Sequence, residues 1–326
     1  MNVCATGATG ATLACALALA GCSAELDAGS DVPHGLLPID ERSAIVLVND
    51  GARDNWQGEY AALLASSGQA RWVGLVVNAG EEHPSLDVNL SGYRGMIAAA
   101  RDSGLENLPD PVASSSTPLQ RPASGLIDDT TPNRSEGARF LVQAAAEHAR
   151  PGHPLVLATG GRLTDVADAF LMDPSFRDRV VVVASLGPAG DGPRADTFDP
   201  NGGRDLWATF IVTSRLRVVQ VNSYYDQSLD VPDERVPDLP QNSFGRWMAD
   251  KRVDTLKLLV ACDQITVFAA ALPWFATEVA RMRVDDSDTR YLIPDPAGAI
   301  WRVTRGDDAR ARDEIWRRLE DPTLFE

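Results

Sequence analysis

Lysine is nearly missing from this chain: among 30 basic residues only Lys251 and Lys257 are lysines, and the others are arginine. No charged side chain precedes Glu25. Acidic residues number 46, leaving a net charge of −16. A surface that acidic repels nucleic-acid phosphates, which argues against a DNA- or RNA-binding role. Histidine is scarce too, and His34, His83, His148 and His153 lack zinc-ligand spacing, which argues against a histidine-rich zinc site. There is no phosphate loop of the G-x-x-x-x-G-K-S/T type and no nucleophile elbow. Gly187, Gly190 and Gly192 do not have the spacing of a dinucleotide fingerprint. With 44% hydrophobic and 23% charged residues, the composition is globular, unlike that of disordered, collagenous or multi-span membrane chains. At 326 residues the chain can bury about three-quarters of its unfolded surface.

The N-terminus is apolar but short. Residues 11–21 (ATLACALALAG) are too few to span a bilayer as a helix. They run into Leu19-Ala20-Gly21-Cys22, which resembles the lipobox of bacterial lipoproteins. That resemblance implies a signal peptide over 1–21, with Cys22 carrying a thioether-linked diacylglycerol and becoming the first residue. It implies an exported protein held to the bacterial cell envelope by acyl chains alone, and Ser23 is compatible with the outer membrane. The segment departs from the pattern in having no Lys or Arg ahead of the apolar run. Residues 22–42 are polar with Pro and Gly and read as a tether, leaving 43–326 as the folded domain. Cys4 and Cys15 leave with the signal and Cys22 is lipidated, so Cys262 stands alone and no intramolecular disulfide forms.

From Ser43 onward, short apolar runs alternate with amphipathic ones. AIVLV (44–48), WVGLVVN (72–78), PVASSS (111–116), PLVLATG (154–160), RVVVVASLG (179–187) and RLRVVQVN (215–222) read as strands. Helices are expected from EYAALLASS, SGYRGMIAAARDSG (91–104, closed by Gly104), GARFLVQAAAEHA (137–149), RLTDVADAFLMD (162–173) and LWATFIVTS. Continuous apolar strands between helices predict an α/β, doubly wound, mainly parallel sheet with helices on both faces. After Ser223 the pattern predicts helices and loops packed on that sheet. In such a fold the ligand crevice lies outside the carboxyl ends of the strands, so the polar clusters after strands carry the functional interest.

The first of these clusters, Asn49-Asp50-Gly51-Ala52-Arg53-Asp54-Asn55, places four oxygen-bearing side chains in seven residues. Ca²⁺ takes six to eight oxygen ligands, so such a turn can serve a hard cation. It is equally the form of an Asx-capped helix start. The run PLVLATGGRLTDVADAFLMDPSFRDRVVVVASLG resembles the inosine–uridine nucleoside hydrolase family, with its strand, T-G-P/G-L-T-N, helix, D-P and a strand ending in M-G-G. In that register the first turn resembles the family's D-T-D-P-G-x-D-D signature, with Val48 and Asn55 at its first and fourth acidic positions. PVASSSTPLQRP, Asp199-Pro200-Asn201-Gly202-Gly203-Arg204-Asp205 and Cys262-Asp263-Gln264-Ile265-Thr266-Val267 match further blocks, and the resemblance covers about 43–280.

The resemblance implies a set of roles. Asp50, Asn55, Asp263 and the carbonyl of Thr159 would hold Ca²⁺, with Asn55 supplying one charge fewer than the family's carboxylate. Asp54 would be the general base on a metal-bound water, and Cys262 stands where the family has a leaving-group His. A thiol, with a pKa near about 8.5, is a poor general acid. Asp199, Asn201 and Glu81 would bind the sugar, and Trp56 and Trp274 flank the expected cleft, either stacking on a ligand or packing the core. Three functions follow: a Ca²⁺-dependent hydrolase of N-glycosidic bonds on a lipid anchor, a catalytically weak or silent nucleoside- or sugar-binding lipoprotein, and a surface interaction protein using the fold as scaffold. Homo-oligomerisation is left open by the sequence.

Overall fold

The computed structural model describes residues 43–52, 55–79, 85–115, 117–186, 200–221, 229–254, 263–285 and 292–326. The signal and tether (1–42) and the sequence-derived site residues Cys22, Asp54, Glu81, Asp199 and Cys262 lie outside the described residues.

The chain runs β1 (Ala44–Asn49), α1 (Gln57–Ser66), β2 (Arg71–Val77), α2 (Leu86–Asp102), β3 (Pro111–Ala113), α3 (Glu136–His148), β4 (Leu155–Gly160), α4 (Thr164–Met172) and β5 (Val180–Ser185). It continues through α5 (Pro200–Gly203), α6 (Leu206–Arg215), β6 (Val218–Val221), α7 (Ser243–Asp254), α8 (Gln264–Ala271), β7 (Ala276–Val284), β8 (Leu292–Pro294), β9 (Ile300–Gly306) and α9 (Asp308–Leu319). The strands form one sheet in the order β3-β2-β1-β4-β5-β6-β9-β7-β8. All neighbours from β3 to β9 are parallel, while β7 pairs antiparallel with β9 and β8 with β7.

Every residue of β1, β4 and β5 is buried, which is why these strands read as unbroken apolar runs. Their side chains nonetheless divide with period two. Ile45, Leu47, Val156, Ala158, Val181 and Val183 pack against α1, α2, α7, α8 and α9, while Val46, Val48, Leu155, Leu157, Val180 and Val182 pack against α3, α4 and α6. Each such Val or Leu contributes about 1.5–3 kcal/mol by leaving water. Ser135 caps α3 through Ala138 N at 3.1 Å, and Gly104, at φ +88°, ends α2 in a conformation a side chain would strain.

The region after Ser223 departs from expectation: besides helices it contributes β7, β8 and β9, which extend the sheet. These strands keep one face in partial contact with solvent, so arginines interrupt their apolar pattern. Arg281 lies over the Trp301 ring with its guanidinium 4.3 Å from the centroid. The edge strand β8 is only three residues long and ends in Pro294, features that limit edge-to-edge pairing. Two other boundaries move: α2 begins at Leu86 rather than near residue 91, and β3 stops at Ala113 instead of reaching 116.

The order of strands locates a crevice. β1 is followed by β2 on one side, whereas β4, its other neighbour, is followed by β5 on the opposite side. Connections leaving in opposite directions open a gap at the carboxyl ends of β1 and β4, the topological switch point where ligands bind in open α/β sheets.

Candidate functional site

Asn49 closes β1 and is fully buried. Its Oδ1 accepts from Gly51 N at 2.7 Å and Tyr93 Oη at 2.6 Å, which fixes the amide orientation. Its Nδ2 therefore donates to the Gly160 carbonyl at 3.0 Å and to Asp263 Oδ2 at 3.3 Å, joining the ends of β1 and β4 to the start of α8. Gly160 permits the junction: a Cβ there would lie 2.5 Å from both Asn49 Nδ2 and Asp263 Cβ. Asn89 on α2 supports the turn from outside, donating to the Asp50 carbonyl.

Asp263 sits at the N-cap position of α8, yet its carboxylate makes no cap hydrogen bond and turns to the switch point instead. Three side-chain amides reach it. Asn55 Nδ2 joins Asn49 at Oδ2, at 3.1 Å, while Asn201 Nδ2 donates to Oδ1 at 3.0 Å. The Asn55 amide is also fixed in orientation, because its Oδ1 accepts the Gln57 N–H at 3.0 Å and its Nδ2 also donates to the Gly51 carbonyl at 3.0 Å. Asn201 is held likewise by the Ser185 carbonyl at 3.4 Å.

Asp50, one residue beyond β1, is paired with Arg204: Nη1 lies 3.0 Å from Oδ2, with side-chain exposures of 10% for the arginine and 2% for the aspartate. The turn that presents Arg204 is rigidly tied. Asp205 caps α6 through Ala208 N at 3.0 Å and also accepts from Leu119 N at 2.8 Å and Thr164 Oγ1 at 2.7 Å.

Beneath the turn lies a second buried pair, Lys251 with Glu59 at 2.8 Å, exposed by 3% and 1%. Lys251 also donates to the Asn55 carbonyl and lies 4.9 Å from the centroid of Trp56, while Trp247 Nε1 donates to Glu59 at 2.8 Å. Trp56 is fully buried and serves the core, and Trp274 lies under the guanidinium of Arg310 at 3.8 Å. On the far side of β4, burial pushes the Asp165 carboxyl up, opposed by hydrogen bonds from Ser114, Ser135 and Asn78. The hydroxyls of Thr159 and Ser185, buried at the ends of β4 and β5, have no hydrogen-bond partner among the described residues.

Solved structures share this architecture. The inosine-uridine preferring nucleoside hydrolase from Bacillus anthracis matches with a TM-score of 0.63 over 85% of this chain and 99% of that one, at 14% identity. A purine-preferring ribonucleoside hydrolase from Gardnerella vaginalis matches at 0.60 over 87% and 100%, at 18% identity. The fold is that of the nucleoside hydrolases. The type III effector protein XopQ, solved with adenosine diphosphate ribose, has it too, at a TM-score of 0.58 over 89% of this chain and 95% of that one, with 13% identity. No protein-family model and no curated protein sequence matches the chain.

On this nucleoside hydrolase fold, Asp50, Asn55, Thr159, Asn201 and Asp263 all lie at the switch-point end of the sheet. Direct hydrogen bonds join Asn55 and Asn201 to Asp263; Asp50 instead meets Arg204. The described donors do not fit the calcium expected of them. Asn55, expected as a ligand, offers its N–H group to Asp263 and not an oxygen to an ion, and backbone partners hold it that way; Asn201, expected on the sugar, also donates to Asp263. Asp50 is already neutralised. Among the described residues no three His, Cys, Asp or Glu side chains group as a metal site. The sequence offered Arg204 within a motif but gave it no role, counted Asn49 only among the oxygens of the first turn, and left Tyr93 and Lys251 without a role. The signal for Arg204 was its place directly before Asp205; nothing local marks its partner.

Proposed function

We propose that this chain binds a nucleoside or related ribosyl compound at the carboxyl ends of β1 and β4, and that it is a catalytically weak or silent protein of the nucleoside hydrolase fold. The observation that carries the reading is the Asp50–Arg204 pair, set among polar groups at the switch point. Support also comes from the fold, which is that of enzymes named for nucleosides and of an effector solved with adenosine diphosphate ribose. Calorimetric titration with inosine, uridine and adenosine diphosphate ribose tests it. Saturable binding of at least one is expected, and binding of none defeats the proposal.

Hydrolysis of an N-glycosidic bond is the second reading, favoured by retention of Asp54 in the first turn of the sequence. In that case Asp54 acts as general base, and Asp54→Asn keeps ligand binding while lowering turnover of a nitrophenyl riboside by about 10²–10⁴-fold. Wild-type protein that turns over neither this substrate nor nucleosides removes the reading. The lipobox resemblance of the sequence supports export and attachment to the envelope through Cys22, and on that reading either activity acts outside the cytoplasm. No helix among the described residues is long and apolar enough to cross a membrane.

A further inference from the structure

We infer that the guanidinium of Arg204 is the resident cation of this site, so that ligand binding is independent of calcium. The ligand arm of this inference rests on the reading above; the cation arm does not. Arg204 meets Asp50 at 3.0 Å with both side chains nearly withdrawn from water. A buried carboxylate is costly unless it is paired or hydrogen-bonded, and a guanidinium supplies a charge together with fixed N–H donors. The supporting turn is built for this presentation, since Asp205 ties its backbone to α6, to Leu119 and to Thr164. Asp263, the other carboxylate of the site, is satisfied by N–H groups of Asn49, Asn55 and Asn201. Each of those three amides also bonds a backbone group that sets its orientation. The two carboxylates are thus stabilised by different means, one by an arginine and one by three neutral amides, and the arginine already supplies the positive charge that a divalent ion would bring to Asp50. A charge that cannot dissociate also makes the site insensitive to the calcium level of its surroundings.

The test is a calcium titration of the wild-type protein by calorimetry and by thermal melting, with and without chelator. No saturable binding and no shift in Tm at millimolar calcium is expected; sub-millimolar binding overturns the inference. In Arg204→Gln the carboxylate of Asp50 loses the guanidinium charge, and calcium is expected to raise Tm by on the order of 5 °C at a hundredfold excess over its Kd. A folded Arg204→Gln protein that still ignores calcium overturns the assignment of Arg204. Should that variant not fold, Arg204→Lys, which keeps the charge, is expected to fold and ignore calcium, and a calcium-stabilised Arg204→Lys protein overturns it. For the ligand arm, the Kd for adenosine diphosphate ribose in chelator is expected within twofold of that in calcium, and a tenfold loss in chelator refutes calcium independence. Absence of ligand binding in both conditions defeats the proposed function, while the calcium titration still decides the role of Arg204.

Discussion

Replacing Lys251 with methionine tests whether the turn that carries the site depends on a buried charge behind it. The ammonium donates to Glu59 at 2.8 Å and to the Asn55 carbonyl, and it lies 4.9 Å from the centroid of the Trp56 ring. Methionine occupies nearly the same space, so packing is largely preserved and the loss is electrostatic. Glu59, 1% exposed at its side chain, keeps the indole N–H of Trp247 but no longer faces a cation at Oε1. Removing one partner of a buried pair costs about 3–5 kcal/mol, because the remaining charge stays desolvated. For a domain of this size that corresponds to a fall in Tm of roughly 5–8 °C. Urea denaturation at constant m measures it directly. The double variant Glu59→Gln/Lys251→Met removes both charges and is expected to recover at least half of the loss. A single variant destabilised by less than about 1 kcal/mol, or a double variant no better than the single, refutes the argument.

Further outcomes follow from other residues. Burial lifts the Asp165 carboxyl above its usual 3.8, so its contribution to stability is fully present below the unfolded value and lost as pH rises through the folded one. The Tm advantage of wild type over the non-titrating Asp165→Asn should shrink across that window, and a constant difference counts against the shift. Gly160→Ala places a Cβ 2.5 Å from Asn49 Nδ2 and Asp263 Cβ, and is expected to cost about 1–3 kcal/mol in denaturation and to weaken ligand binding. Unchanged stability would mean that the junction of β1, β4 and α8 is looser than described. Cys22→Ser should move the full-length protein from the detergent phase to the aqueous phase in phase separation; identical partitioning of wild type and variant rejects the lipid anchor.

The sequence by itself determined the central layers of this protein. β1, β4 and β5 are legible because both their faces are covered, so all but their carboxyl-terminal positions are apolar and no helix-like period appears. The polar clusters that follow these strands singled out Asp50, Asn55, Thr159 and Asn201 at one end of a sheet, whereas Asp263 was marked only by the family resemblance. The strands β7, β8 and β9 were not legible, because a half-solvated strand carries arginines whose stems rest on neighbouring rings and breaks the apolar run. Strand order, and with it the switch point between β1 and β4, depends on which edges pair across long separations, which local pattern does not encode. The same holds for the charge balance of the site. Arg204 finds Asp50 across 154 residues, and the amides of Asn49, Asn55 and Asn201 reach Asp263 with their N–H groups because folding brings α8 to the first turn, where backbone groups hold their orientation. Residue type told which oxygens and nitrogens were available; the direction of each hydrogen bond, and so whether a carboxylate meets a metal or an arginine, was decided by the packed tertiary structure.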